Sequence, residues 1–180
     1  TTAPPVPETS RMPFTPEQIA ALWEIQDEPW VDTVLVFLYT GFRLMELLNM
    51  QTEQVDLQQK TFQGGIKTAA GKGRIVPIHP KILPFVQAWA QHGHKYLLTA
   101  DGKKLSKQKY YECWAEVMDR IGADKTPHEA RHTFETSLDN AKANRKCIDL
   151  LMGHKSKDVG NRVYNHKTLE QLRETILLLE

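Results

Sequence analysis

The sequence predicts a mainly α domain with one small three-stranded antiparallel β-sheet. Three observations carry that prediction. Ser or Thr precedes several one-sided apolar runs, and twice Pro and then Glu or Gln follow it, which is how helices begin. β-Favouring residues are confined to one stretch, 54–78. The chain has 180 residues, 41% hydrophobic and 25% charged, an ordinary globular composition that can bury a core without covalent staples.

The elements follow in order. Residues 1–12 are rich in Pro and Thr without periodicity and read as an interdomain linker remnant. Thr15-Pro16-Glu17-Gln18 is a capping box opening a helix with Ile19, Leu22 and Trp23 on one face. Val31, Val34, Leu35 and Leu38 make a second helix ending near Gly41, so Arg43 opens a third, with Leu44, Leu47 and Leu48. Val55 and Leu57, then Thr61 and Phe62, then Ile75, Val76 and Ile78 are the three strands, separated by turn-forming runs. Ile82, Phe85, Val86 and Trp89 return to helical spacing, and Asp101-Gly102 is a turn. Ser106 caps a helix through Tyr110, Trp114, Val117 and Ile121. Thr126-Pro127-His128-Glu129 is another capping box, with His128 in the first turn and Arg131 one turn on. Ile148, Leu150 and Leu151 form a short helix closed by Gly153, and Thr168 caps a last one carrying Leu169, Leu172, Ile176 and Leu179. Tyr39, Tyr96, Tyr110 and Tyr111 fall in or beside apolar helical patterns and read as packing residues.

Charge narrows the function. Lys and Arg total 23 against 22 Asp and Glu, a net charge of +1, but the distribution is uneven. Between Asp56 and Asp101 there is no acidic residue, while Lys60, Lys67, Lys72, Arg74, Lys81 and Lys95 are present; the first third carries Glu17, Glu24, Asp27, Glu28 and Asp32. Such a chain can turn a basic face to a nucleic acid while staying near neutral. A solvated lysine-rich surface is the plainer alternative. No apolar run reaches membrane-spanning length and no signal segment opens the chain. Cys113 and Cys147 lack metal or redox spacing, which fits a reduced cytoplasmic protein.

Two motifs suggest enzymes and then fail. His128-Glu129-Ala130-Arg131-His132 fits H-E-x-x-H, the zinc-protease pattern, but its extended form needs Gly where Glu135 stands and His where Leu138 stands. A distant third ligand such as Glu170 or Glu174 keeps a metalloprotease open as an alternative. Gly65 to Gly73 imitates a phosphate loop, but it is one residue too long and ends in Gly73 where a magnesium-binding hydroxyl is required.

A different set of residues suits a phosphodiester. Arg43 and Arg131, both near helix starts, offer planar forks that stay charged and grip phosphoryl oxygens bidentately. A preorganised donor of that kind is worth about 3–4 kcal/mol in a dry site. A surface pair with Glu46 is the bland reading for Arg43. Tyr164, ten residues after His154, is a candidate nucleophile. Its phenol, with a pKa of about 10, is ionised in only about one molecule in a thousand at neutral pH, so it needs a base or cationic surroundings.

Four segments in order resemble the tyrosine recombinase (phage integrase) family. Thr40-Gly41-Phe42-Arg43-Leu44-Met45-Glu46 is similar to its first arginine box. Thr126 to Phe134 is similar to its His-x-x-Arg box; Met152-Gly153-His154 resembles its Leu-Gly-His, with Met for Leu; Val163-Tyr164 resembles its nucleophile. The sheet with Lys67-Thr68 and Arg74-Ile75-Val76-Pro77 resembles the hairpin that bears the family's lysine. The hairpin holds two lysines; Lys67, at a strand end, is favoured over Lys72, which lies between two glycines at a turn tip.

The resemblance implies a tyrosine recombinase catalytic-domain fold over 13–180, with the family's N-terminal DNA-binding domain absent from this chain. It implies catalytic roles for Arg43, Lys67, His128, Arg131, His154 and Tyr164, with no cofactor and no metal. Tyr164 would attack a phosphodiester to leave a 3′-phosphotyrosyl link. Arg43, Arg131 and His154 would neutralise the phosphoryl oxygens, and His128 would orient the phosphate or accept the phenol proton. Lys67 would protonate the leaving 5′-oxygen. The implied partners are double-stranded DNA at a specific recombination site and three further copies in a synaptic homotetramer, with a monomer away from DNA and no membrane. The last helix would dock on a neighbour or on its own domain. A type IB topoisomerase-like enzyme and a non-catalytic DNA-binding relative are the remaining alternatives.

Overall fold

In the computed structural model, residues 11–64, 74–154 and 168–180 are described. Among them are eight helices: α1 (Pro16–Glu24), α2 (Val31–Thr40), α3 (Leu44–Leu48), α4 (Leu83–Ala90), α5 (Lys107–Ile121), α6 (Pro127–Asn140), α7 (Arg145–Met152) and α8 (Leu169–Ile176). Strands β1 (Val55–Asp56), β2 (Thr61–Gly64) and β3 (Arg74–Pro77) form an antiparallel sheet in the order β1-β2-β3. The expected fold class is therefore the observed one. The two-residue strands β4 (Thr99–Ala100) and β5 (Lys103–Lys104) add a hairpin that the sequence pattern did not reveal, turning at Asp101 and Gly102, both with positive φ.

The helix starts follow local chemistry. Thr15, Thr126 and Thr168 each accept from the third helical N–H, while Gln18, Glu129 and Gln171 reach back to the cap residue's own N–H. Ser106 caps α5 in the same way without the reciprocal bond.

α2 is the spine. Nine of its ten residues are buried, Asp32 being the exception, and its widest packing is against α6. Phe37, Tyr110 and Trp114 gather beside it, and the Thr33 hydroxyl lies 2.7 Å from the Tyr110 hydroxyl. Burial pushes the Tyr110 phenol far above its usual range. Tyr39 and Tyr110 are core residues as expected, but Tyr111 is 43% exposed with Lys107 over its ring.

α2 ends at Gly41, where φ is +66° and a Cβ would lie 2.4 Å from Cδ1 of the buried Phe134 of α6. Only glycine meets both conditions, so the chain turns here with α6 pressed against it.

α8 packs on β3 and α7 and buries Leu172 and Ile176; the helix ends at Ile176, so Leu179, which the sequence placed on it, is buried from the segment beyond, whereas Leu177 and Leu178 are exposed. The end of the chain is tied down as well. His79 Nε2 donates to Leu179 O at 2.9 Å while its Nδ1 accepts from Lys81 N at 3.1 Å, and the Tyr39 hydroxyl donates to Glu180 O. No helix among the described residues is long and apolar enough to cross a membrane.

Candidate functional site

Three guanidinium groups from distant parts of the chain converge on the carboxylate of Glu46. Arg43 Nη1 lies 3.3 Å from Oε1, Arg131 Nη1 lies 3.9 Å from the same oxygen, and Arg74 Nη1 donates to Oε2. Oε1 also accepts from the Arg43 backbone N–H at 3.0 Å, which ties the start of α3 to the same carboxylate. Three positive charges against one negative leave the cluster a net cation.

The three arginines differ in exposure, and that divides their work. The side chains of Arg74 and Arg131 are each 5% exposed, whereas that of Arg43 is 55% exposed. Arg131 donates from Nη1 to Gly41 O at 2.5 Å and from Nη2 to Met152 O at 2.8 Å. Arg74 donates from Nε to Leu151 O at 2.9 Å, and its Nη2 reaches the same oxygen. Both therefore seat on the last carbonyls of α7, the negative end of its dipole. The Arg131 side chain, carried near the start of α6, thus meets the negative end of α7. Burial first, and then the charges of Arg43 and Arg74, lower the Arg131 pKa to about 10, so it remains charged at neutral pH. Burial lowers that of Arg74 as well, with Glu46 opposing. The Phe42 ring lies under Arg74, 5.3 Å from Cζ, and packs edge-on against Phe62 at 5.1 Å.

α7 closes in a left-handed turn that places His154. Gly153 (φ +67°) donates to Leu150 O at 3.2 Å, and His154 N donates to Asp149 O at 3.0 Å, a Schellman closure. A Cβ on Gly153 would stand 3.2 Å from Arg74 Cδ. The Met-Gly-His segment is thus a helix stop that lies against the arginine cluster and turns the imidazole of His154 to 3.5 Å from Asp149 Oδ1. Arg145 lies 2.5 Å from Glu135 Oε1 and 3.1 Å from Asp149 Oδ1. Burial would raise the Glu135 carboxyl, but the Arg145 hydrogen bond and charge outweigh it and hold it below the usual range, with His154 and Arg131 helping.

His128 is exposed at the start of α6, and its Nε2 lies 2.6 Å from Arg11 Nη1. Burial first, then the charges of Arg11, Arg131, His132 and Arg43, push the imidazole below its ordinary range. Among the described residues no cluster of three His, Cys, Asp or Glu groups is placed to hold a metal, and His128 Nε2 faces a guanidinium. The H-E-x-x-H pattern here is a capping box followed by an arginine one turn on.

Arg43, His128, Arg131 and His154 of the sequence reading thus come together at one end of the α2–α6 pair. Lys67, its rival Lys72 and Tyr164 lie outside the described residues. Arg74, Glu46, Asp149 and Arg11 were not assigned to the site. Glu46 was visible as the third residue after Arg43, and Arg74 as the basic residue opening a strand. What joins them depends on contacts between residues 28 and 90 positions apart.

The phage integrase family model matches residues 14–171. The chain belongs to the phage integrase family. Among its relatives, the integrase-family domain is 26% identical over 185 residues to tyrosine recombinase XerA of Pyrococcus furiosus, spanning 96% of this chain and 63% of that protein. The domain thus spans under two thirds of that relative's length. Among solved structures, the integrase from mycobacterium phage Brujita superposes with a TM-score of 0.79 at 18% identity, covering 99% of this chain and 61% of that one. The Tn1549 transposon integrase in complex with circular intermediate DNA gives 0.68 at 23% identity, covering 96% and 65%. The Xer relative is named a tyrosine recombinase, and the structural likenesses show the fold.

Proposed function

We propose that this chain is the catalytic part of a site-specific DNA recombinase, which cleaves and rejoins DNA through a 3′-phosphotyrosyl intermediate. The observation that carries the reading is the net-cationic cluster of Arg43, Arg74 and Arg131 around Glu46, with His128 and His154 beside it, in a chain of this family. A phosphodiester under attack gains negative charge on its non-bridging oxygens, and fixed guanidinium donors stabilise that charge without reorganising. Arg43, with its exposed end, reaches the phosphate; Arg131, clamped by Gly41 and Met152, presents its remaining N–H donors; His154 adds another.

In the proposed step the Tyr164 oxygen attacks phosphorus in line. The P–O bond to the 5′-oxygen breaks, and Lys67 supplies the proton that turns the leaving oxygen into a free hydroxyl. His128 orients the phosphate or takes the phenol proton. The phosphotyrosyl bond conserves the ester, so the 5′-hydroxyl of another strand reverses the step without a nucleotide or a metal. The partners are double-stranded DNA at a specific recombination site and further copies of the protein in a synaptic tetramer, serving integration or excision of a phage or other mobile element. The DNA held by the Tn1549 relative supports the choice of substrate.

A nicked suicide duplex tests the reading, because the cleaved fragment diffuses away and traps the intermediate. Wild type should give a covalent protein–DNA band on a denaturing gel. Tyr164→Phe should bind the duplex and give none. An equal band from Tyr164→Phe would overturn the nucleophile assignment.

A further inference from the structure

Arg11 falls in the stretch that the sequence assigns to a linker, yet it is built into the site. Three contacts fix the chain beside it. Lys125 Nζ donates to Met12 O at 3.2 Å, and Lys125 in turn pairs with Glu129 at 3.7 Å, the neighbour of His128. Phe14 N donates to Thr133 Oγ1 at 2.8 Å, and the Phe14 ring is buried edge-on against Trp114 at 6.3 Å. Arg11 therefore leaves an anchored backbone at the start of α6, with its guanidinium 2.6 Å from His128 Nε2.

The chemistry of that contact has one sense. A guanidinium has five N–H donors and no acceptor, so His128 Nε2 must accept with its lone pair. The ring is then neutral and carries its proton on Nδ1. We propose that Arg11 is a positioning residue for His128: by donating to Nε2 it fixes the Nδ1–H tautomer, so that the ring offers an N–H donor, and not a base, to the bound phosphate.

This inference rests on the recombinase reading and chooses between the two roles that reading leaves to His128. The attacking phenol then loses its proton to water. A neutral donor suits the surroundings. The charged or titratable groups whose charge bears on the ring are Arg11 from the linker, Arg43 ahead of α3, and Arg131 and His132 from α6, and together with burial they oppose its protonation. A neutral imidazole still polarises an oxygen through its N–H without adding a repelling cation, and a depressed imidazole pKa is one route to that state. Protonation would set an N–H against the Arg11 guanidinium and break the pair.

The test follows the ring directly. Long-range proton–nitrogen NMR on this chain, with His128 assigned by comparison with His128→Gln, reads tautomer and titration midpoint in wild type, Arg11→Ala and Arg11→Lys. Wild type should show the Nδ1–H tautomer. Arg11→Ala should move the population toward Nε2–H and raise the midpoint, and Arg11→Lys, which keeps a charged donor, should stay near wild type. Single-turnover cleavage of the nicked duplex against pH supplies the second readout: the loss in Arg11→Ala should be largest above the NMR midpoint and shrink as pH falls through it, because protonation restores the Nδ1–H donor. Identical spectra for Arg11→Ala and wild type overturn the proposal. So does a rate that drops by the same factor at every pH, because loss of a linker anchor or a DNA contact would do that. If wild type forms no adduct at all, the recombinase reading fails, and the NMR comparison still decides whether Arg11 sets the tautomer.

Discussion

Replacing Gly41 by Ala should disturb stability and the site together, through one atom. Gly41 has φ +66°, and a left-handed conformation costs an L-residue about 1–2 kcal/mol. The new methyl would meet Phe134 Cδ1 at 2.4 Å and Cε1 at 2.9 Å; that ring is fully buried, so it has no solvent side to move into. Overpacking of this kind costs about 1–3 kcal/mol. The sum is roughly 2–5 kcal/mol, and for a chain of this size each kcal/mol lowers Tm by about 2–4 °C. Calorimetry should therefore show Tm falling by roughly 4–20 °C. Relief comes only by separating α2 from α6 where Arg131 Nη1 grips Gly41 O, so adduct formation should fall even at temperatures where the variant is folded. Phe134→Leu in the Gly41→Ala background should recover part of the steric loss but not the conformational one, a coupling of about 1 kcal/mol or more in a double-mutant cycle. A Gly41→Ala protein with unchanged Tm would refute the argument, and so would full additivity with Phe134→Leu.

Three further outcomes are expected. Arg131→Lys replaces a fork spanning Gly41 O and Met152 O with a single ammonium; single-turnover cleavage should fall by about 10²–10³, the usual effect of losing one preorganised donor, while duplex affinity measured by anisotropy changes much less. Lys67→Ala should be slow on ordinary DNA and recover when the leaving 5′-oxygen is replaced by sulfur, which needs no proton; recovery by Lys72→Ala instead would identify the other lysine. Glu135 is held below its ordinary value of 4.5, so its pairing stabilises the fold at neutral pH and is lost as pH falls from about 4.5 through the lower folded value. Urea midpoints of wild type should thus drop more steeply than those of Glu135→Gln over that acid range, and parallel curves would mean that the Arg145 pair adds nothing.

Local chemistry made most of the fold legible. Thr15, Thr126 and Thr168 announce helix starts because a capping box is complete within four residues, and Gly41 and Gly153 announce stops because a left-handed cap needs glycine. The hairpin of β4 and β5 escaped because Lys103 and Lys104 are both exposed and carry no apolar alternation. The site was legible where one segment bears both the functional residue and its support, as with Arg43 or His154. It was not legible where a group works through space. Glu46 looked like the surface partner of Arg43, and its bonds to Arg74 and Arg131 exist only once β3, α6 and the end of α7 meet. Arg11 looked like linker because its neighbours are prolines and threonines, and its bond to His128 spans 117 positions.

In the proposed reaction a tyrosine of this chain becomes esterified to DNA beside the arginine cluster. Its most direct measurement is the location of the bond itself. The trapped adduct is digested with nuclease and trypsin, and the nucleotide-bearing peptide is sequenced by mass spectrometry. A 3′-phosphonucleotide is expected on Tyr164, in the tryptic peptide 163–167. A modification on Tyr39, Tyr96, Tyr110 or Tyr111, on a serine, or on no residue would contradict it.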